Sequence, residues 1–325
     1  MSVAILAMAA AYTVTTPAQL NAAVARAKSG DTIIVAPGDY GMVQFGNAQF
    51  DKPVTIRSQD PKRPARFSRF WLKDPRNLVL ENLEFTRVRG SEPSWAKIVE
   101  ISGGSDVTIK GGSVHGSLNG SPADDMNGVY FRGTRRMTVT GVTFRELNVA
   151  LTFDDSADVV IDSNSFSYLG TDSINLAAVN GAKVVNNHFY DFRPVPGAHP
   201  DAIQCWTRSK TTACKNVTIH HNNFDGAPGH EFQGVFFGDE AKIGGYDNIE
   251  ITDNVFTSTM WHAIYIGPGN NIVIKNNVIT AGPTMKPWIR TESPATLVGN
   301  SAPTYVIGGV QKPPKGNKVG GLYKK

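Results

Sequence analysis

Apolar and polar residues alternate along this chain in short bursts, and the bursts recur. NLVLENLEF (77–85), DVTIKGGSV (106–114), MTVTGVTF (137–144), DVVIDSNSF (158–166), AKVVNNHF (182–189), NVTIHHNNF (216–224), NIEITDNVF (248–256) and NIVIKNNVI (271–279) write one motif eight times. Each copy alternates like a strand with one buried face, breaks at a turn, and closes on one more apolar residue. In the last five copies an asparagine stands two residues before that closing position: Asn164, Asn187, Asn222, Asn254 and Asn277. Asparagine tolerates the left-handed backbone of a tight turn, and its amide can bond the equivalent amide of a stacked neighbour. The column therefore predicts one turn repeated in register.

A second strand follows in each period: GVYFRG (128–133), VALTFD (149–154), SINLAA (173–178), AIQCWT (202–207), GVFFGD (234–239) and AIYIGP (263–268). Short strands stacked at a period near 23 residues predict an all-β fold, a single right-handed parallel β-helix. One coil cannot bury its apolar side, so stacking must supply the core. A β-propeller would need a period of about 40. The β-helical domain is expected over 12–282, with its coils from about residue 30.

The ends carry their own signals. Thr16-Pro17-Ala18-Gln19 reads as a capping box with proline at the first helical position, opening a helix over 17–28 that lids the first coil. SGDTIIVAPGDY (29–40) reads as that coil. MSVAILAMAAAY has an apolar stretch and an Ala-x-Ala-like end but no basic n-region, so 1–11 reads either as a signal-peptide remnant or as a plain N-terminal strand. Residues 283–325, rich in Pro, Gly and Lys, show no repeat and are expected to lie along the outside or fray.

The repeat also lengthens. The asparagines are spaced 23, 35, 32 and 23 apart, so the two middle coils carry extra residues, at 190–200, 207–215, 225–233 and 240–247. Insertions in a solenoid emerge as loops on one face, often the binding face. If Ile174, Ile203, Val235 and Ile264 point inward, then Asn175, Gln204, Phe236 and Tyr265 form one outward column. Beside it runs a polar column of Asn127, Asn148, Asp172, Asp201, Gln233 and His262. A solvated face could carry such columns without function, but here they coincide with the long loops and with Trp206 and Tyr265.

Charge changes this picture little. Of the net +4, residues 283–325 hold seven Lys and Arg against the single acid Glu292, which leaves the body near −2. Basicity belongs to the tail, and no nucleic-acid partner is expected. No apolar run reaches the eighteen or so residues of a membrane span. Cys205 and Cys214, nine apart, could close a disulfide in an oxidising compartment. Parity opposes this, because Cys205 should face the core while Cys214 starts outside the next coil; two buried free thiols are the alternative.

The run from TDSINLAAV through NNHFYDFRPVPGAHPDAIQCWT, within 171–207, resembles the β-helical polysaccharide lyases and epimerases that act on alginate-type polyuronates. In particular it is similar to the alginate lyases of polysaccharide lyase family 31, where a TDG-then-DMIQFWT-like pair occupies successive coils. Ser173 stands where glycine would be usual, Cys205 where an aromatic would be, and the DPH signature of calcium-dependent mannuronan epimerases is absent. The resemblance implies a secreted or periplasmic enzyme, expected to be monomeric, that cleaves a uronate-containing acidic polysaccharide by β-elimination.

Such an elimination must neutralise the uronate carboxylate, remove the C5 proton and protonate the leaving oxygen. Asn175 and Gln204 offer amides, and Arg193 or Arg208 charge, for the first task. His199, Lys210 and Tyr265 are the titratable candidates for the others, with Asp201 orienting a base or a cation, Asp172 beside the substrate, and Trp206 stacking a sugar face. Three other readings compete: C5 epimerisation, glycoside hydrolysis by Asp172 and Asp201, and a non-catalytic carbohydrate-binding solenoid. Inverting hydrolysis wants carboxyls roughly 6.5–9.5 Å apart, whereas equivalent positions on adjacent coils lie about 4.8 Å apart. No cofactor is required, although two carboxylates on stacked coils could contribute to a Ca²⁺ site.

Overall fold

Each motif copy folds as two strands joined by a tight turn. The first half, as in Ala157–Asp162 and Lys215–His220, joins one sheet (A); the closing half, as in Ser165–Leu169 and Asn223–Asp225, joins a second (B). The second strand of the period joins a third (C), through Ile174–Ala177, Asp201–Trp206, Gln233–Gly238 and His262–Ile266. The computed structural model describes residues 9–322, and in it sheets A and B have twelve strands and sheet C eleven, wound into a right-handed parallel β-solenoid of about 10 turns.

The asparagine column is a buried ladder. Asn187 Oδ1 accepts both the backbone N–H (2.9 Å) and the side-chain N–H (3.0 Å) of Asn164, and the same pair of bonds recurs through Asn222, Asn254 and Asn277. The left-handed residue is the one before each ladder asparagine: Ser163, Asn186, His221, Asp253 and Asn276, with φ between 56° and 57° for all but His221 at 55°. The asparagines are thus selected for the amide, and their neighbours absorb the turn. The closing apolar position stacks as well, with Phe144, Phe166, Phe189, Phe224 and Phe256 at successive ring distances of 4.8, 5.0, 4.8 and 4.2 Å.

The N-terminal helix spans Pro17–Arg26, two residues short of the expected end, because Ala27 turns extended. Thr16 Oγ1 accepts the Gln19 N–H at 3.2 Å, but Gln19 reaches back to the Thr15 N–H (2.8 Å), so the reciprocal bond of the capping box is displaced by one residue. Leu20, Ala23 and Val24 bury the inner face. Ala11–Val14 is a strand paired with Thr32–Val35, so sheet A begins before the coil expected at 29–40. Most of the stretch read as a signal-peptide remnant, residues 1–8, lies outside the described residues.

Position 282 is not a boundary. Trp288–Thr291 and Thr304–Ile307 extend sheet C, Thr296–Val298 extends sheet A, and Ser301–Ala302 and Lys318–Val319 extend sheet B. The segment expected to lie outside or fray forms further coil because it supplies what a coil needs. Ile289, Leu297, Ala302 and Tyr305 are buried, and Asn300 and Asn317 continue the ladder. Irregular loops on either side hide the period.

Cys205 and Cys214 are joined as a disulfide, Cα atoms 6.5 Å apart, and both are fully buried. Cys214 therefore turns inward, against the parity expectation, and the intervening loop is clamped at its base. Among the described residues, no helix is long and apolar enough to cross a membrane.

Candidate functional site on the outer face of sheet C

Strand register aligns Asn175, Gln204, Phe236, Tyr265 and Arg290 across successive coils of sheet C. Ile174, Ile203, Val235 and Ile264 fill the core behind them. The polar column starts at the strand ends, where Asp201 pairs with Gln233 and His262 with Trp288.

Asp172 and Asp201 anchor this column. Asp172 Oδ1 accepts the Asp201 backbone N–H at 3.0 Å, and its Oδ2 accepts from Asn175 Nδ2 at 3.1 Å. Asp201 Oδ2 accepts from Gln204 Nε2 at 2.9 Å and lies 3.8 Å from His199 Nδ1. Burial pushes both carboxyls up from the ordinary carboxylate range, and at Asp172 the neighbouring Asp201 charge adds to it. The Asp201 carboxylate beside it raises the His199 imidazole, and Gln233 Nε2 contacts the same ring. Asn175 Oδ1, Asp201 Oδ1 and Gln233 Oε1 are buried without a partner among the described residues. A proton held on one carboxyl would supply the donor that such acceptors lack.

An aromatic row continues the column. His199 lies 5.8 Å from Phe236, which stacks on His262 (5.1 Å) and Tyr265 (5.0 Å). His262 approaches Trp288 at 5.3 Å, and Trp288 stacks on the exposed Trp261 at 5.6 Å. Burial, and then the His199 charge, lower His262 to about 4, so this ring is neutral across the physiological range. Burial raises the Tyr265 hydroxyl, which donates to Glu292 at 3.3 Å.

The structure divides the residues singled out in the sequence. His199, Asp201, Asp172, Asn175, Gln204 and Tyr265 meet on this face. Trp206, Arg208 and Gln204 line a pocket of about 220 Å³ with Glu240. Lys210 makes none of its contacts with the carboxylate pair: it is paired with Asp154 and Asp155, and Asp154 also accepts the Tyr130 hydroxyl at 2.6 Å. Burial alone would lower the Lys210 ammonium, but those two carboxylates outweigh it and raise it. Arg193 also makes none of its contacts with the carboxylate pair; it holds Asp191 at 2.8 Å, touches His230, and lies 4.8 Å over the Tyr168 ring. Asn175 keeps its outward register but is 5 % exposed, so it supports Asp172 and cannot reach a substrate unaided.

Four neighbours were missed or left out of the site. Gln233 and His262 stand in the polar column read from the sequence, and that strand-start position was the available signal; the structure pairs them with Asp201 and Trp288. Trp288 and Glu240 had none, since they sit on an unrecognised coil and in a loop. Coils elsewhere are also not minimal, because 87–96 and 116–126 form long connections between sheets B and C. Asp172 and Asp201 alone fall short of the six to eight oxygens calcium takes. Among the described residues no group of three or more His, Cys, Asp or Glu is placed to hold a metal.

Several solved structures share the fold. An alginate lyase from Paenibacillus sp. str. FPU-7 aligns over 97% of this chain and 99% of its own, at 14% identity and a TM-score of 0.56. PfbA, a surface adhesin of Streptococcus pneumoniae, aligns over 88% and 85%, at 12% identity and a TM-score of 0.61. The GH136 lacto-N-biosidase from Eubacterium ramulus aligns over 96% and 67%, at 12% identity and a TM-score of 0.56. At these identities the likeness is one of fold. No curated protein matches the chain by sequence. Residues 127–302, more than half of the chain, match the family described as the right handed beta helix region, and the protein belongs to that family.

Proposed function

We propose that this protein cleaves a uronate-containing acidic polysaccharide, alginate-like in class, by β-elimination on the outer face of sheet C. The observation that carries the reading is the contrast between His199 and Asp201. The His199 side chain is 57% exposed, while Asp201 beside it has no exposed surface. A carboxylate that cannot touch a sugar does not serve as one of two hydrolytic carboxyls. It does serve to orient and charge-balance an exposed imidazole, which is what a proton-abstracting dyad requires.

His199 then removes the C5 proton and Asp201 positions it. Gln204 and Arg208 hold the uronate carboxylate, and Tyr265 protonates the leaving oxygen. Trp206 stacks a sugar ring at the edge of its pocket, and Asp172 and Asn175 hold Asp201 in place. The likeness of fold to an alginate lyase and the motif in 171–207 support the substrate class. The buried disulfide supports a secreted or periplasmic setting.

The test is incubation with a panel of polyuronates and acidic exopolysaccharides, followed by ultraviolet absorbance of the unsaturated uronate and by reducing ends. Both signals together are the expected result. Reducing ends without absorbance would instead establish hydrolysis, and a changed uronate composition without cleavage would establish epimerisation. Binding with no chemical change would leave a carbohydrate-binding solenoid.

A further inference from the structure

A pocket of about 300 Å³ opens between three loops that join sheet B to sheet C, and its walls include Pro122, Pro194, Pro196 and Gly229. Among the described residues, Arg193 and His230 are the ionisable side chains that line it, and no carboxylate does. We propose that this pocket is a second saccharide site that binds a hexuronate unit of the polymer through the Arg193 guanidinium. The inference rests on the lyase reading for the identity of the sugar, but not for the existence of the site.

The walls are built before any ligand arrives. Val195 N–H donates to Gly170 O (3.0 Å) and Arg193 N–H to Leu169 O (3.0 Å) of one neighbouring coil, and Gly226 N–H to Thr257 O (2.8 Å) of another, which ties two of the loops down. The third is held by two buried carboxylates: Asp125 accepts the Ser117 N–H at 2.7 Å, and Glu146 accepts the Gly120 N–H at 3.0 Å. Proline adds stiffness because its φ is already fixed. A rigid, partly apolar concavity with a few convergent polar groups is the form that small-ligand sites take.

The charge selects the ligand. Arg193 and Arg145 stand 4.8 and 3.7 Å from the centroid of the Tyr168 ring, so two guanidinium groups share one aromatic support. Their partners, Asp191 at 2.8 Å and Glu146 at 3.4 Å, do not line the pocket, and the lining itself presents cationic and neutral groups. A carboxylate entering there meets a guanidinium whose Nη2 already holds Asp191 and whose Nη1 touches His230, so it gains the attraction of that charge and the N–H directions those partners leave open. A neutral sugar of the same size gains the proline contacts and forgoes that attraction.

The experiment is calorimetric titration of the full chain carrying His199→Ala, so that ligand is not consumed, with uronate trisaccharides and with neutral cellotriose. Adding Arg193→Ala should weaken uronate binding at least tenfold. Adding Arg193→Lys, which keeps the charge and much of the packing over Tyr168, should weaken it less; cellotriose should gain or lose little in either. If Arg193→Ala disturbs the thermal midpoint, the lysine variant decides. Uronate affinity unchanged by the folded variant, or equal affinity for cellotriose, would overturn the site. Unsaturated product formed normally by Arg193→Ala with unchanged affinity would sink this site and leave the lyase reading standing. Binding through Arg193 with no product from any polymer would do the reverse.

Discussion

Two buried polar columns run along this solenoid, and they differ in how completely they are bonded. In the asparagine ladder each amide oxygen from Asn187 to Asn300 accepts twice, Asn164 at its start accepting once from the Val142 N–H, and the amide nitrogens donate to the next asparagine and to backbone carbonyls, as Asn222 does to Asn254 Oδ1, Val184 O and His220 O. On sheet C the column is chemically mixed, and Asn175 Oδ1, Asp201 Oδ1, Gln233 Oε1 and His262 Nδ1 lack partners among the described residues. One residue type repeated to saturation is a structural device, since every buried group is satisfied. A mixed column with raised carboxyls and orphan acceptors costs stability, and such costs concentrate at functional sites.

The largest expected effect falls on catalysis. His199→Ala should lower turnover by about 10²–10⁴, the usual worth of a general base, while leaving the thermal midpoint near that of the parent. Tyr265→Phe should lower turnover with a smaller change in substrate affinity. Steady-state rates on an accepted polyuronate check both, and parental rates in both variants would remove this face from the chemistry.

Stability sharpens the comparison next. Asn222→Leu removes bonds on both sides of the ladder and strands the Asn187 N–H and Val184 C=O inside, so it should cost about 3–5 kcal/mol. Gln233→Leu, in the unsaturated column, should cost about 1 kcal/mol or less. Denaturant midpoints of the two variants measure the difference, and equal losses would erase the distinction between the columns. Replacing Cys205 and Cys214 together by serine should fall between these, at about 2–3 kcal/mol for a loop of this length.

The smallest effect is on pH dependence, and its sign is definite. Asp172 and Asp201 titrate higher in the fold than in the unfolded chain, so the folded state binds protons more readily. Their contribution is complete below the ordinary carboxyl value of about 4 and is lost as pH rises through the raised values. His199, also raised, adds loss in the same direction above its ordinary value of about 6.5. The thermal midpoint should therefore decline from mildly acid to neutral pH, and Asp172→Asn should flatten the decline. As a base, His199 must be neutral, so the ascending limb of the rate profile should lie above pH 6.5 or so, and Asp201→Asn should move it down. A limb unmoved by Asp201→Asn would separate the two residues.

How much was legible follows from where the information sits. The period, the parity of Ile203 and Gln204, the ladder from Asn164 to Asn277 and the stacking of Asp172 and Asp201 in one column could all be read from the chain. In a solenoid, equivalent positions of adjacent coils must stack, and stacking turns sequence spacing directly into spatial contact. The last coils escaped because irregular loops flank Asn300, which keeps the 23-residue step from Asn277, and the next step, to Asn317, falls to 17.

Loops obey no such rule. Whether Lys210 would reach His199 or turn back to Asp154, fifty-six residues earlier, depends on loop path and on the Cys205–Cys214 bond that clamps it. Whether Arg193 would serve the carboxylate pair or stack on Tyr168 depends equally on the neighbouring insertions, including 116–126, which the repeat does not announce. The sequence alone determined the coil and the face, because both are set by short-range alternation repeated in register. Only the tertiary structure decided which loop side chains meet on that face, because those contacts join segments whose lengths vary independently of the repeat.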